Sequence, residues 1–153
     1  MFIKTVIECL NTHKVAYALV GGYAVALHGA VRGTIDVDIV IQLSKTAFRK
    51  AENALLSIGL KPRLPVSADE VFDFREEYIN NKNLIAWSFI NPDRPSEIVD
   101  IIITDNLKDI KTVTKSALGL KVKVASIPDL IRLKKAAGRE QDLLDIKALE
   151  KLL

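Results

Sequence analysis

The sequence predicts an α+β fold, in which a mixed β-sheet of four to six strands is flanked by helices and the C-terminus is helical. Three observations lead to this prediction. Short apolar runs of strand length alternate along the chain with segments whose apolar residues recur at helical spacing. Glycine, proline and polar residues separate these segments, as expected for turns and helix ends. Two of the apolar runs also carry aspartates, which strands that only fill a core rarely do.

The first half of the chain is expected to alternate helix and strand. Apolar residues recur at helical spacing from Phe2 to Leu10, which predicts an amphipathic N-terminal helix. Ser44 is a typical capping residue at the start of a segment that ends near Gly59. The expected elements are a helix over residues 2–13, a buried strand 15–20, a short helix 23–28, a strand 37–42 and a helix 45–57.

The second half is expected to begin with an irregular segment. Residues 62–82 contain two prolines, mixed charge and little periodicity, so we expect a loop with a strand near residues 73–75. Apolar residues alternate with lysine over residues 119–125, which is typical of a half-exposed strand. The further expected elements are strands 83–90 and 97–103 joined by a turn at 91–95, the strand 119–125, a helix capped by Ser126 and ended by Gly138, and a last helix 139–152.

Composition limits the kind of protein. With 153 residues and 49% hydrophobic content, the chain is expected to form one domain spanning residues 1–153, with its helical C-terminal part at about 126–153. No apolar stretch approaches the length of a membrane span, and the N-terminus lacks the pattern of a signal peptide. The single cysteine, Cys9, fits a reducing compartment, so a cytoplasmic location is expected. Two distant histidines supply no zinc ligand set.

The net charge of +3 is unevenly distributed. Residues 1–105 carry a net charge of −2, whereas residues 106–153 carry +5. A basic C-terminal third suggests an anionic partner such as RNA. A solvated surface of lysine-rich helices explains the same composition, and the sequence alone leaves both explanations open.

Three aspartates stand in apolar strand segments. Asp36 and Asp38 are two residues apart, so a strand would project them from one face. Asp100 stands alone in the apolar run Ile98–Ile103. Buried carboxylates need a partner, a metal or a proton, and carboxylates converging from adjacent strands suit Mg²⁺ or Mn²⁺. We therefore expect all three to be catalytic metal ligands, although each acid taken singly could be a solvated strand residue or a helix cap.

Gly21 and Gly22 follow the first predicted strand and precede a short helix. Such a turn can bring backbone N–H groups against phosphate oxygens, so both glycines are expected to bind nucleotide. The turn could also need glycine only for a positive φ. Arg32 shortly precedes the acids and either binds a phosphate or lies on the surface. Glycine turn and acids together point to metal-assisted nucleotidyl transfer.

The same residues resemble a known family. The order Gly21-Gly22, Asp36-x-Asp38, then Asp100 between apolar residues resembles the nucleotidyltransferase superfamily that includes DNA polymerase beta. The C-terminal segment KKAAGREQDLLDIKAL is similar to the ending of AbiEii-type nucleotidyltransferases, which are bacterial toxin components of phage-defence and toxin–antitoxin pairs. The resemblance covers residues 17–42, 97–103 and 126–150.

The resemblance implies a nucleotidyltransferase fold and a Mg²⁺-dependent enzyme that transfers a nucleoside monophosphate from a triphosphate to a hydroxyl. Lys135 would then contact the triphosphate, with Asp145 ordering Lys135 or Arg139. A structural ion pair between the last two helices is the alternative for these residues. The acceptor would be RNA, a protein or a small molecule such as an aminoglycoside-like drug, and a cognate antitoxin would be a partner. A regulatory or antitoxin-like module that binds nucleotide without turnover is the competing function.

Overall fold

The computed structural model describes residues 1–30 and 33–153, which form a seven-stranded mixed sheet flanked by helices. The helices are α1 (Phe2–Thr12), α2 (Gly21–Leu27), α3 (Lys45–Ser57), α4 (Ala68–Asp73), α5 (Arg75–Lys82), α6 (Ile127–Ala137) and α7 (Glu140–Glu150). The strands are β1 (Ala18–Val20), β2 (Val37–Val40), β3 (Lys61–Pro62), β4 (Ala86–Asn91), β5 (Arg94–Ile102), β6 (Thr112–Ala117) and β7 (Leu120–Ala125). The predicted α+β fold class and the helical C-terminus are confirmed.

The sheet has the strand order β3-β4-β5-β2-β1-β7-β6. β2 runs parallel to β5 and β1 runs parallel to β7, whereas the other neighbours are antiparallel. In this register Asp38 of β2 lies beside Asp100 of β5 on one side and Val20 of β1 on the other. The middle of the sheet therefore brings together two aspartates that are far apart in sequence.

The two faces of the sheet are covered differently. On one face, Trp87 of β4 stacks on Phe48 of α3 with ring centroids 5.6 Å apart, and Phe89 meets Trp87 edge-on at 4.8 Å. α1 and α4 pack on α3 over the same face. On the opposite face, α2 contacts β1, β2 and β7, and α6 packs on α2 and α7. The aspartates face the second layer, so the first layer supplies much of the apolar core.

Helix ends follow the expected local chemistry at several points. Ser44 accepts a hydrogen bond from the Ala47 N–H at 3.1 Å, and α3 spans the predicted residues 45–57. Ser126 caps α6 by accepting from the Asp129 N–H. Gly138 ends α6 with φ +65, a left-handed conformation that glycine adopts at little cost. Among the described residues, no helix is both long and apolar enough to cross a membrane.

The predicted number of strands was too low, because the sheet has seven instead of four to six. The short strand β3 and the edge strand β6 were not predicted. β6 has the sequence TVTKSA and exposes most of its residues, so it lacks the apolar alternation that marks a half-buried strand. A two-residue turn with positive φ at Leu118 and Gly119 joins it to β7.

The prediction for residues 62–82 was wrong. This segment forms α4 and α5 where a loop and a strand near residues 73–75 were expected. α4 begins with a capping box in which Ser67 and Glu70 satisfy each other's backbone N–H groups. α5 buries none of its residues, so its sequence shows no apolar period.

Candidate active site

A cleft of about 850 Å³ opens on the aspartate face of the sheet. The three predicted acids and both predicted glycines line it. Its apolar wall is formed by side chains from β2, β5 and α6 and from the segments before β2 and β4: Ile35, Val40, Ile85, Ile102, Leu130 and Leu133. Lys134, Arg139 and Asp142 bring ionic groups from the C-terminal helices to the same cleft. The sequence motifs therefore converge in space.

Asp38 and Asp100 form the centre of the site. They are direct neighbours in the parallel pair β2–β5, and their carboxyl groups share a hydrogen bond. Ser88, opposite Asp100 on β4, donates its hydroxyl to Asp100 Oδ1 at 2.5 Å. Asp36 lies one residue before β2 and lines the cleft with them. All three carboxylates are thus on one face: Asp36 and Asp38 are two residues apart, and Asp100 is the direct neighbour of Asp38.

The pKa values of Asp38 and Asp36 are both raised above the ordinary value, first by burial and then by neighbouring carboxylates. Burial, the charge and hydrogen bond of Asp100, and then the charge of Asp36 raise the pKa of Asp38 to about 7, with Lys134 acting in the opposite direction. Burial and then the charge of Asp100 raise the pKa of Asp36, and Arg63 opposes this. Near neutral pH the site therefore holds more negative charge than its surroundings stabilise.

Gly21 lies directly against the Asp38 side chain. Its φ is +68, a conformation that residues with a side chain rarely adopt. A Cβ atom at this position would overlap the Asp38 carboxylate and would lie 2.9 Å from Asp38 Cβ. The turn into α2 can therefore approach the carboxylates closely because residue 21 has no side chain.

Lys134 provides the buried positive charge of the site. Only 6% of this residue is exposed, and its Nζ lies 2.9 Å from Asp145 Oδ2 and 3.3 Å from Asp142 Oδ1. Arg139 contacts both oxygens of Asp142, at 2.8 and 3.3 Å. Burial alone would raise the pKa of Asp142, but the hydrogen bonds from Arg139 and the charge of Lys134 outweigh it and hold that pKa below its ordinary value.

Lys135, which was predicted from the sequence to contact the triphosphate, is exposed and does not line the cleft. Consecutive helix residues point about 100° apart, so the turn that directs Lys134 inward directs Lys135 to solvent. Asp145 is buried behind the cleft wall, where it pairs with Lys134 and accepts a hydrogen bond from Gln141 at 3.1 Å. Arg32, the other nominated phosphate ligand, lies outside the described residues.

Two further residues of the site, Ser88 and Arg63, were not predicted from the sequence. Ser88 is a half-buried polar residue between two buried aromatic residues of β4. Its role could have been predicted only if its pairing with Asp100 on β5 had been known. Arg63 acts on Asp36 from a segment that was expected to be irregular. Neither residue belongs to a motif that can be recognised before the strand register is known.

The donor atoms of the cleft suit a divalent cation. In residues 1–30 and 33–153, no three carboxylate, imidazole or thiol groups already enclose a common point that could hold an ion. Asp38 and Asp100 are in contact, however, and Asp36 interacts electrostatically with both. Carboxylate oxygens are the ligands that Mg²⁺ and Mn²⁺ prefer, and a cation would relieve the repulsion that raises the Asp38 pKa. The residues present therefore fit this kind of ion.

Solved structures share the architecture. The lincosamide antibiotic adenylyltransferase LnuA, solved with lincomycin bound, matches with a TM-score of 0.65 and 17% identity over 99% of this chain and 96% of its own. The antibiotic-resistance factor ANT(2'')-Ia in solution matches with a TM-score of 0.67 and 9% identity over 97% and 80%. An antigenic nucleotidyltransferase-like protein from Paracoccidioides brasiliensis matches with a TM-score of 0.60 and 19% identity over 99% and 75%.

This chain has the nucleotidyltransferase fold. No protein-family model and no curated protein sequence matches it. At identities below 20% the structural likeness establishes the fold alone, that is, the arrangement of the sheet and its flanking helices. The function of the cleft depends on its own residues.

Proposed function

We propose that this chain is a metal-dependent nucleotidyltransferase, which transfers a nucleoside monophosphate from a nucleoside triphosphate to a hydroxyl acceptor. The observation that carries the proposal is the contact between Asp38 and Asp100 directly against the Gly21 turn. Clustered carboxylates destabilise a fold by repulsion, so a site that concentrates three of them is better explained by a ligand than by stability. A cation matches the carboxylates of this site, and a polyphosphate matches its glycine turn.

The triphosphate is best accommodated between the glycine turn and α6. Gly21 and Gly22 allow backbone N–H groups to approach phosphate oxygens without a side chain in between. Lys134 faces the cleft from the opposite wall and is the buried cation that acts on Asp38. Its ammonium group is held by Asp142 and Asp145, so it is already oriented before a phosphate binds.

In the transfer step, the acceptor hydroxyl oxygen forms a bond to the α-phosphorus, and the bond from the α-phosphorus to the bridging oxygen breaks. Pyrophosphate leaves with that oxygen and its electron pair. Asp100 stands at the side of the site away from the glycine turn, and its carboxylate receives the acceptor proton. Ser88 donates to Asp100 Oδ1 and so holds the carboxylate in one orientation.

Asp36, Asp38 and Asp100 would hold Mg²⁺ or Mn²⁺, which supplies charge neutralisation of the attacking and leaving oxygens when bound. The protein contributes the placement of these three acids on adjacent strands. Because Asp38 takes up a proton near pH 7, ion binding and protonation compete at this residue.

For the biological role, we propose a toxin-like enzyme of the AbiEii type that modifies RNA and is held in check by an antitoxin protein. The C-terminal pattern supports this, since Lys134 pairs with Asp142 and Asp145. Arg139 pairs with Asp142, and these two residues line the cleft together with Lys134. The basic C-terminal third would favour an anionic acceptor.

Modification of a small molecule is the second candidate function. It is favoured by the likeness to LnuA, which this chain matches over nearly its whole length, and by the likeness to ANT(2'')-Ia in complex with adenylyl-2''-tobramycin. In this case the acceptor would be a drug-like molecule with a free hydroxyl, and the exposed Ile35 and Ile85 at the cleft would contact its apolar part.

The experiment that tests both candidates follows the label of the transferred nucleotide. The protein is incubated with each α-labelled nucleoside triphosphate, Mg²⁺ or Mn²⁺, and a total cell lysate, with lincomycin and tobramycin added in parallel reactions. The label is then separated into RNA, protein and small molecules. Labelled RNA supports the toxin-like role, and a labelled drug supports the second candidate.

An Asp38→Asn variant serves as the control, because it keeps the shape of the residue and removes a proposed ligand. Label transfer that is equal in both proteins would contradict the proposed site. Tight nucleotide binding with no transfer to any fraction would instead favour a regulatory module without turnover.

A further inference from the structure

β3 brings a basic residue into line with the acids of the site. The Arg63 N–H donates to the Ser88 carbonyl at 2.8 Å, which extends the β3–β4 pairing by one residue. Ser88 is paired with Asp100, and Asp100 with Asp38. Arg63, Ser88, Asp100 and Asp38 therefore form one row across four neighbouring strands. With strands about 4.8 Å apart, the Arg63 backbone is roughly 10 Å from that of Asp100.

The side chain of Arg63 is on the same face as the acids. Ser88 faces the acids, because its hydroxyl bonds Asp100, whereas its neighbour Trp87 packs in the aromatic cluster on the opposite face. Residues directly opposite each other in a sheet share a face, so Arg63 points to the side of Ser88. Lys61, two residues earlier, shares this face, and both side chains are exposed.

The charge of Arg63 already acts within the site. It lowers the pKa of Asp36 against the larger effects of burial and of Asp100. Arg63 is exposed and does not line the cleft, but its charge reaches Asp36, which does, so Arg63 lies at the rim. Because Arg63 is exposed, its side chain can reach a bound anion without leaving a buried position.

The geometry of the transfer step assigns this rim to the acceptor. Attacking and leaving oxygens lie roughly in line on opposite sides of the phosphorus. The proposed leaving group lies towards Gly21 and Lys134, at the β1 and α6 side. The acceptor must then approach from the other side, over β5, β4 and β3. α2 covers the face at β1, β2 and β7. On the other side Lys61, Arg63 and Ile85 are exposed, which leaves a route of entry there.

We infer that Arg63, with Lys61 beside it, binds an anionic group of the acceptor, a phosphate or a carboxylate, and so positions the acceptor hydroxyl next to Asp100. A guanidinium suits this role because its planar fork can bond two oxygens of either group. The inference rests on the proposed nucleotidyl transfer and adds to it a specificity-determining residue on the acceptor side.

The test measures binding of small probes to the protein loaded with Mg²⁺ and a non-hydrolysable triphosphate analogue. Ribose 5-phosphate and glucuronate carry the two anions, ribose is the neutral control, and glucosamine is the cationic control. Amide shifts of β3 and β4 are followed by NMR. We expect at least one of the anionic probes to bind and to shift the amide signals of β3. The two controls should bind at least tenfold more weakly.

Arg63→Ala should raise the dissociation constant of the anionic probe by about tenfold, the size expected for one charge-assisted hydrogen bond. Arg63→Lys should recover part of the affinity. Arg94→Ala, which removes another exposed arginine at the start of β5, should leave both probe binding and nucleotide binding unchanged. Arg63→Ala should also leave the nucleotide dissociation constant unchanged.

Two outcomes would overturn the inference: no preference of the wild-type protein for the anionic probes, or equal affinity in Arg63→Ala. Loss of nucleotide binding in Arg63→Ala would place this residue on the triphosphate side and would also contradict it. If the wild-type protein binds no triphosphate analogue, the proposed function itself fails, and that result is visible before any probe is added.

Discussion

Glycine is required at position 21 for two reasons, the positive φ and the close approach to Asp38. Gly59 has φ +87 and open space where a Cβ would lie, whereas a Cβ on Gly21 would overlap the Asp38 carboxylate. Gly59→Ala should therefore cost only the backbone strain of about 1–3 kcal/mol. Gly21→Ala should cost about 1–3 kcal/mol more, because the crowding is added to the strain. Chemical denaturation of the two variants gives both values.

The same two variants should also differ in triphosphate binding. Gly21→Ala should weaken triphosphate binding, since the carboxylate and the turn can no longer occupy the same positions. Gly59→Ala should bind nucleotide as the wild type does, because Gly59 follows α3 and does not line the cleft. Equal stability losses in the two variants would show that the turn relaxes away from Asp38.

Asp38 should make the stability of the metal-free protein depend on pH. Its pKa is about 7 in the folded protein, above the ordinary value of 3.8. Between these values the folded state holds a proton that the unfolded state has lost, so ionisation of the unfolded chain lowers the stability of the wild type as pH rises. The stability gained in Asp38→Asn should therefore increase from about pH 4 to pH 7 and stay constant above.

Urea denaturation of wild type and Asp38→Asn at several pH values, with a chelator present, measures this difference. A difference that does not change with pH would mean that folding does not raise the pKa of Asp38. Asp93→Asn, a change at an exposed acid of the β4–β5 turn, should show no such trend.

At the scale of elements, Lys134 links α6 to α7 through Asp142 and Asp145. Removing one partner of a buried ion pair leaves an uncompensated charge, so Lys134→Met should cost about 3–5 kcal/mol. Lys135→Ala, one residue further, should stay within about 0.5 kcal/mol because its side chain is exposed. Thermal or chemical unfolding of both variants measures this contrast.

A double variant separates charge from shape at this position. Lys134→Met combined with Asp145→Asn should be more stable than the sum of the single changes predicts, because the second change removes the unpaired carboxylate. A large loss of stability in Lys135→Ala would instead support the alternative for this residue, a structural ion pair between the last two helices.

The elements also show which parts of the fold the sequence could predict. α3 was predicted to the residue because Ser44 caps it and its apolar residues recur at helical spacing. α5 could not be found from periodicity, since it buries no residue, and β6 lacks alternation because it is an exposed edge. The placement of Lys134 instead of Lys135 depends on the rotation of α6, which a motif with two adjacent lysines does not define.

For the candidate site, the residues that belong to a sequence motif were predicted, and the residues that reach the site only through strand pairing were missed. Asp36, Asp38, Asp100 and the two glycines line one cleft, as their pattern indicated. Ser88 and Arg63 reach the acids through the antiparallel strands β3 and β4. No local signal marks such residues, because their place follows from the register of four strands.

At the scale of the whole molecule, the site lies where the covered half of one sheet face meets its open half. α2 packs on β1, β2 and β7, while β3 and β4 bring Arg63 and Ser88 to the other side of the acids. A ligand in the cleft therefore contacts both halves, together with α6 through Lys134. Binding should stabilise the entire fold and should be visible as a shift of its unfolding temperature.

We expect Mg²⁺ and a nucleoside triphosphate together to raise the thermal midpoint, because a ligand that binds only the native state stabilises it. At a hundredfold excess over the dissociation constant the gain is about 2.7 kcal/mol, or roughly 5–10 °C for a chain of this size. Asp100→Asn should lose most of this shift, yet its ligand-free stability should equal or exceed that of the wild type, since a like charge is removed and the Ser88 hydroxyl keeps an acceptor. Asp93→Asn should retain the full shift. A large drop in the ligand-free stability of Asp100→Asn would identify Asp100 as structural, and an unchanged shift in this variant would exclude the carboxylate from the ligand site.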